Sequence, residues 1–185
     1  EDRLLASPVL APGGLLFCVS YDDDQTEQDE IVALDALTLQ LRYRFGRSLI
    51  NDAQAMVVVG DELFVCDRNN DRLQVFSLTG EHRRSITGEW KRPTFLCCAK
   101  DRLYLLEDHH DFDDDEGEGE GGGTLRGQRI FVLSLQGNTL QTLTVLQEGQ
   151  FFEDICCFDG KLLVSHWEAF PVSGIRCGLL VFRGV

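Results

Sequence analysis

Residues 55–80 read AMVVVGDELFVCDRNNDRLQVFSLTG, and they hold a complete structural pattern. The apolar run Ala55–Val59 is followed by a tight turn at Gly60 and Asp61, and then by a second apolar run. A loop rich in acidic, amide and arginine side chains leads to a third apolar run, which ends at a turn containing Gly80. Short apolar runs separated by turn residues predict β-strands joined as an antiparallel meander.

The same pattern recurs along the chain. A shift of 40 residues carries Leu63 onto Leu103, and a shift of 59 residues carries Cys97 and Cys98 onto Cys156 and Cys157. The second shift is larger because the third copy contains an insertion. A repeat of about 40 residues with four short strands is typical of β-propeller blades.

The sequence therefore predicts an all-β protein, a β-propeller of about four four-stranded blades. We expect a single propeller domain or fragment over residues 1–185, with blades at about 1–46, 53–87, 94–145 and 154–185, and a disordered, acidic, glycine-rich insertion at 108–127. Because no spare strand is left to close a ring, we expect part of a six- or seven-bladed propeller, open between its first and fourth blades and prone to self-association. A closed four-bladed ring is the alternative.

Residues 60–86 resemble an NHL repeat. The resemblance rests on the loop Asp67-Arg68-Asn69-Asn70-Asp71-Arg72, the apolar strand that follows it and the turn at Gly80. It implies that the Asp and Arg of this loop stabilise the corner between the second and third strands of the blade. The other copies match only as generic propeller blades. Propellers of this family mostly bind proteins or RNA and a few are enzymes, so the fold does not choose the activity.

The net charge of −14 is concentrated in two predicted loops. They contain Asp22, Asp23, Asp24, Glu27, Asp29 and Glu30 in the first blade, and Glu107, Asp108, Asp111, Asp113, Asp114, Asp115, Glu116, Glu118 and Glu120 in the third. Together they hold 15 of the 31 acidic residues, so the remaining 16 nearly balance the 17 basic ones. Acidic loops repel the phosphates of a nucleic acid and favour a basic protein partner.

In a propeller, the loops that follow the second and fourth strands of each blade open on one face. The sequence places both acidic loops on this face, with Trp167 in a loop of the fourth blade and Phe151 and Phe152 in the loop before that blade. We expect a non-catalytic protein-interaction scaffold. Packing between blades is the alternative for Trp90, Phe151 and Phe152, and a solvated loop without a partner is the alternative for the acidic segments. The candidate partner-binding residues are Asp22, Asp23, Asp24, Asp67, Trp90, Asp113, Asp114, Asp115 and Trp167.

The alternative function is a metal-dependent propeller enzyme of the lyase or lactonase type. It would use His109, His110 and His166, which the predicted topology brings towards the same face. No cofactor is expected otherwise. Asp111, Asp113 and Asp115 have the first spacings of a calcium loop, but a glutamate stands where that loop needs glycine. Only weak divalent cation binding stays open.

Seven cysteines, an odd number, fall within predicted strands. Such residues are mostly small buried hydrophobes, which indicates a reducing compartment and a cytoplasmic protein. A redox-sensitive or metal site formed across blades is the alternative interpretation. No apolar run approaches the 18 or more residues of a membrane span, so no membrane segment is expected. A signal peptide upstream of Glu1 stays an open alternative, and further blades or domains of a longer chain are expected partners.

Overall fold

The structure is a computed structural model that describes residues 3–21, 28–108, 129–144, 150–170 and 174–183; the side chains of 150, 167–170 and 174–176 are not described. Four antiparallel sheets are arranged as a β-propeller, which confirms the predicted fold class. Over the described ranges, helical structure is limited to a short 3₁₀ turn at Arg68–Asn70. No helix in this part of the chain has the length and apolar character that a membrane crossing requires.

Each blade is an up-and-down meander whose strands are hydrogen-bonded in chain order. The first blade holds β1 (Leu4–Ala11), β2 (Leu15–Tyr21), β3 (Glu30–Asp35) and β4 (Leu41–Phe45), and the second holds β5 (Ala53–Val59), β6 (Glu62–Asp67), β7 (Arg72–Ser77) and β8 (His82–Thr87). The third holds β9 (Pro93–Ala99), β10 (Arg102–Glu107), β11 (Arg129–Ser134) and β12 (Thr139–Thr144), and the fourth holds β13 (Gln150–Phe158), β14 (Lys161–Phe170) and β15 (Gly174–Arg183).

The strands of the fourth blade are longer than the sequence predicts. β13 pairs with β14 as far as Gln150 and Glu168, and β14 pairs with β15 as far as Phe170 and Gly174. The predicted loop position of Trp167 is therefore wrong, because the backbone of this residue lies within β14. The loop position predicted for Phe151 and Phe152 is wrong for the same reason, since both residues belong to β13.

The core lies between the blades rather than inside any one of them. Successive side chains of a strand point to opposite faces of the sheet. In β6, Leu63 and Val65 pack towards the first blade, while Phe64 and Cys66 pack towards the third. This two-sided burial explains why the second and third strands of each blade are apolar at nearly every position. The fourth strands are polar and largely exposed, as the sequence predicts.

Neighbouring blades meet through their first strands, with β1 against β5, β5 against β9 and β9 against β13. Among the described residues, β1 is hydrogen-bonded to β2 alone and β15 to β14 alone. The first and fourth blades therefore share no hydrogen-bonded sheet in this part of the chain. Large apolar side chains are exposed on these two blades, including Leu10 and Phe158.

In the second and third blades, a glycine at the turn between the third and fourth strands lets the blade pack closely against the one before it. Gly80 of the second blade has φ +89°, and a Cβ there would lie 2.8 Å from the ring of Phe45 in β4. Gly137 of the third blade repeats this arrangement, since its Cβ would lie 2.2 Å from a methyl group of Ile86 in β8. Both positions require glycine for two reasons: the backbone is left-handed, and a side chain would collide with the neighbouring blade.

Replacement of Gly80 by alanine should separate these two effects when it is compared with Gly13→Ala. Gly13 has a similar φ of +81° but nothing within 4 Å of its Cβ position. Gly13→Ala should cost about 1–2 kcal/mol of unfolding free energy from backbone strain alone. Gly80→Ala should cost about 1–3 kcal/mol more, because the added methyl group overpacks the contact with Phe45. Urea unfolding of both variants tests this, and equal losses would show that the Phe45 ring moves aside freely.

Candidate functional site

A polar cavity of about 1060 Å³ opens on the face formed by the loops after the second and fourth strands. It lies between the first and second blades, and we call it the rim cavity. Tyr21 and Gln28 both line it, so the first acidic segment leaves and rejoins the described chain at its edge. The rim cavity is lined by Ala6, Ser7, Tyr21, Gln28, Asp29, Ser48, Leu49, Ile50, Asn51, Asp52, Ala53, Gln54, Arg68, Asn69, Asn70, Arg72 and Arg92.

Asp67 organises the floor of this region. Its carboxylate is completely buried and accepts hydrogen bonds from the backbone N–H of Asn51 (2.7 Å) and from the side chains of Asn70 (2.8 Å), Arg72 (2.7 Å) and Gln74 (3.3 Å). A buried carboxylate is tolerated only when it is paired and fully hydrogen-bonded. These bonds hold the corner between β6 and β7, which is the role that the resemblance to an NHL repeat implies for Asp67 and Arg72.

The third blade repeats this corner with a different acid. Glu107 ends β10 and is buried, and it accepts two hydrogen bonds from Arg129 at 2.7 and 2.8 Å. A third comes from the backbone N–H of Lys91 at 3.2 Å. The sequence pattern groups Glu107 with the acids of a loop and does not reveal this structural role. The signal available in the sequence was the alignment of Arg129 with Arg72.

Arg68 bridges two blades at the edge of the rim cavity. Its guanidinium donates to Asp52 at 2.6 Å and to Asp108 at 3.2 Å. Asp108 is buried, and its backbone N–H donates to the carbonyl oxygen of Arg92 at 2.9 Å. Asp108 therefore belongs to the ordered rim, although the sequence pattern predicts it at the start of the insertion 108–127. Residues 109–128 of the second acidic segment lie outside the described residues.

A second bridge joins the same two blades. Asp71 accepts a hydrogen bond from the side chain of Lys91 at 2.9 Å and another from the backbone N–H of Arg92 at 2.7 Å. The loop of the second blade is thus held to the segment that enters the third blade. Asp108 is the last described residue before the second acidic segment. Because Arg68 and Arg92 both line the rim cavity, these contacts hold Asp108 close to it.

Asp29 is an acid of the cavity lining whose pKa is changed by its surroundings. Its carboxylate accepts a hydrogen bond from the backbone N–H of Ala53 at 2.9 Å. Burial raises the pKa of Asp29 above its ordinary value, and the nearby negative charge of Asp52 adds to the rise, while the hydrogen bond from Ala53 opposes it. The neighbouring Glu30 is buried and pairs with Arg44 at 2.5 Å. Both acids are therefore used within the fold rather than presented in a free loop.

Backbone strain is concentrated around the rim cavity. Ser7, Ser48, Asp52 and Arg92 all line the cavity with φ between +47° and +70°. Residues other than glycine adopt this region at a cost of order 1–3 kcal/mol, and such strain clusters at functional sites. The cavity walls are thus held in defined conformations by the packing of the adjacent blades.

The structure separates the predicted partner-binding residues into three groups. Asp67 and Trp90 are completely buried, so neither side chain is exposed on the rim. Trp167 lies in β14, where the structure describes only its backbone. The remaining candidates lie outside the described residues; they are Asp22, Asp23, Asp24, Asp113, Asp114 and Asp115.

Trp90 packs between the second and third blades, which was the alternative interpretation of this residue. Its ring meets Phe131 edge-on with 5.8 Å between the ring centroids. A Cβ at Gly88 would lie 2.0 Å from the indole, so glycine leaves the space that the ring occupies. Phe152 is buried between the third and fourth blades in the same way.

The metal-site alternative stays a prediction. His109 and His110 lie outside the described residues. His166 lies in β14 opposite Gly178 of β15, and its Nδ1 is buried without a hydrogen-bond partner among the described residues. Over the described ranges, no three side chains of His, Cys, Asp or Glu are placed to hold a metal ion.

The lining of the rim cavity is mostly polar. Its arginines face carboxylates, and its remaining polar groups are amides and hydroxyls such as Asn51, Gln54 and Asn69. The lining residues include no histidine or cysteine. Small-molecule sites are predominantly apolar with a few polar groups, whereas this lining is predominantly polar. The arrangement is therefore suited to hydrogen bonds and ion pairs with a polar partner.

Comparison with known proteins supports the fold. No family model matches the chain, and a search of curated proteins finds no match. Among solved structures, the hydrazine synthase of Kuenenia stuttgartiensis aligns with a TM-score of 0.72 at 12% identity, over 97% of this chain and 51% of that one. BamB from Moraxella catarrhalis aligns with a TM-score of 0.60 at 11% identity, over 98% of this chain and 44% of that one. The RRP9 WD40 repeats align with a TM-score of 0.62 at 13% identity, over 99% of this chain and 52% of that one.

These similar structures are β-propellers, and at such low identity they show the fold alone. The chain spans about half the length of each of the three. A specific relationship to NHL repeats is not shown by these comparisons.

The pKa of Asp29 generates a testable pH dependence. A carboxyl group whose pKa is raised by folding contributes stability that is present below its unfolded pKa and is lost as the pH rises through its folded pKa. Asp29→Asn should therefore gain stability relative to the wild-type protein between pH 4 and pH 7. Urea unfolding at several pH values measures this difference.

Glu62→Gln supplies a control of opposite sign. Hydrogen bonds from Arg84 lower the pKa of Glu62, so its contribution is present at neutral pH and is lost as the pH falls through the folded pKa. This variant should therefore lose stability relative to the wild-type protein as the pH rises from 4 to 7. If the stabilities of Asp29→Asn and the wild-type protein ran parallel over this range while Glu62→Gln behaved as expected, the account of Asp29 would fail.

Proposed function

We propose that this chain is a non-catalytic interaction scaffold that binds a basic protein segment at the rim cavity. The observation that carries the proposal is that the polar cavity lies where the two acidic segments attach to the propeller. Tyr21 and Gln28 line the cavity, and Asp108 is tied to its edge through Arg68. A partner seated in the cavity would therefore lie within reach of both acidic segments.

The charge distribution favours a basic partner. The four acids of the two loops that the structure describes, Asp29, Glu30, Glu107 and Asp108, are hydrogen-bonded within the fold. The other 11 of the 15 lie in residues 22–27 and 109–128, and the same ranges contain one basic residue, Arg126. Residues 22–27 and 109–128 therefore carry most of the net negative charge of the chain. Such a charge raises the rate of association with cationic proteins and repels nucleic acids.

A binding experiment tests the proposal with a labelled 20-residue peptide composed of Lys, Arg and Ser. One variant replaces Asp22, Asp23 and Asp24 with Asn, and a second does the same at 113–115. An exposed charge pair contributes about 0.2–1 kcal/mol, and at about 0.4 kcal/mol for each of the three pairs a triple variant should weaken binding by about five- to tenfold. Binding of the wild-type protein should also weaken strongly between 50 and 300 mM salt. Fluorescence anisotropy gives the dissociation constants.

The matched control removes three charges from the opposite face. Its substitutions are Glu81→Gln, Asp101→Asn and Asp159→Asn, all at exposed turn residues. Asp101 and Asp159 lie between the first and second strands of their blades, and Glu81 lies between the third and fourth. This variant has the same net charge as either test variant and should bind the peptide nearly as well as wild type. Equal losses in all three variants would mean that only net charge matters, and the proposed site would be wrong.

The metal-dependent enzyme is the second candidate, and the unpartnered Nδ1 of His166 is the observation that favours it. It predicts about one tightly bound metal ion per chain, whereas the scaffold predicts none. Inductively coupled plasma mass spectrometry of the dialysed protein decides between them, with His166→Gln as the control. A stoichiometric metal that is retained by the wild-type protein and lost from the variant would overturn the scaffold proposal.

A further inference from the structure

We propose that Cys97 and Cys157 form a cross-blade dithiol that a peroxide oxidises to a disulfide. Cys97 lies in β9 and Cys157 in β13, the first strands of the third and fourth blades, which pack side by side. The two Sγ atoms are 3.0 Å apart. This modification site is separate from the rim cavity and does not depend on the proposed binding function.

The geometry selects one cysteine from each Cys-Cys pair. Side chains of adjacent residues in a strand point to opposite faces. Cys97 therefore faces the fourth blade, while Cys98 packs towards the second. In β13, Cys157 faces the third blade and Cys156 is exposed. In the repeat, Cys97 is equivalent to Cys156, and yet its partner is Cys157. The reason is that one face of each sheet packs on the next blade and the other face packs on the preceding blade, so two side chains that meet come from opposite faces.

Disulfide formation requires only a small movement. A disulfide bond is about 2.05 Å long, so the two sulfur atoms have to approach by about 1 Å. Both residues are free thiols in this structure. Cys97 is nearly buried and Cys157 is partly exposed, so an oxidant would reach Cys157 first.

The hydrogen bond between the thiols assigns the order of the two steps. It lowers the pKa of Cys157 and raises the pKa of Cys97, and burial raises the latter further. Cys157 is therefore the thiol of the pair that ionises more readily, and the thiolate is the form that reacts with peroxides. It attacks one peroxide oxygen, the O–O bond breaks, and the leaving hydroxide takes up the proton released from the thiol. Cys157 becomes a sulfenic acid and one water is formed.

Cys97 then resolves this intermediate. Its sulfur attacks the Cys157 sulfur, the S–O bond breaks, and the departing oxygen leaves as a second water with the proton of Cys97 and its own. In sum, two thiols and one peroxide give one disulfide and two waters, with the sulfurs oxidised and the peroxide reduced. The bond joins residues 60 positions apart in the sequence and ties the fourth blade to the third. A cross-link over a long loop restricts the unfolded chain, so the oxidised protein should unfold at a higher temperature.

The test is to treat the purified chain with a small molar excess of hydrogen peroxide and to count thiols in denaturant. The reduced protein contains seven cysteines, and the oxidised protein should show five thiols and a Cys97–Cys157 cross-link in peptide mapping. Cys97→Ala and Cys157→Ala should abolish the cross-link and the rise in melting temperature. Cys98→Ala and Cys156→Ala are matched controls from the same strands, and both should retain the two effects.

Three outcomes would overturn the proposal. The first is oxidation of Cys157 to a sulfinic acid without a cross-link, because Cys97 would then fail to resolve the sulfenic acid. The second is cross-linking between chains through the exposed Cys156 or Cys177 in place of the internal bond. The third is a wild-type protein whose seven thiols persist under conditions that oxidise a model thiol. Peptide mapping of the wild-type protein distinguishes these results even if an alanine variant folds poorly.

Discussion

The burial of each blade on both of its faces is the constraint on which the whole structure depends. A four-stranded meander covers neither of its own faces, so every blade relies on its neighbours for its core. Leu63 and Val65 are buried only because the first blade is present, and Phe64 and Cys66 only because the third is. Burial also raises the pKa of the Cys66 thiol, which makes it an inert core residue.

The charged corners follow from the same constraint. Once the second and third strands are covered on both sides, the acid that ends the second strand is buried and needs partners. Asp67 obtains them from Arg72 and from Asn51 in the loop that enters the second blade. Glu107 obtains them from Arg129 and from Lys91 in the loop that enters the third blade. These bonds fix the loops that form the rim cavity. The geometry of the candidate site is therefore a consequence of satisfying buried carboxylates. On the opposite face, the close contacts at Gly80 and Gly137 fit the second and third blades against the blades before them.

The sequence predicted the parts of the fold that depend on local patterns. Apolar runs around Leu63 and Leu103 and the turns between them carry the signal for strands, and the repeat made the propeller evident. It did not reveal the length of β14, because the segment ending at Phe170 interrupts its apolar residues with Glu168 and lacks a strand pattern. It also failed to separate Glu107 and Asp108 from the acids that follow them. Their roles depend on Arg129 and Arg68, and only the folded chain brings these partners together.

The candidate site shows what a propeller rim leaves available for function. The described acids around the cavity are hydrogen-bonded to arginines, lysine or backbone N–H groups. The charges of these acids are therefore largely offset within the described part of the rim. The amides of the lining, such as Asn69 and Gln54, each make one side-chain hydrogen bond within the fold and keep further donor and acceptor capacity. Under the proposed function, a partner would meet these amides and the acids of residues 22–27 and 109–128. Amides provide directional hydrogen bonds, whereas the acidic segments provide long-range attraction that salt screens. Under the proposed function, selectivity for one basic partner over another would come from the amide-lined cavity, because attraction to the acidic segments depends mainly on the partner's charge.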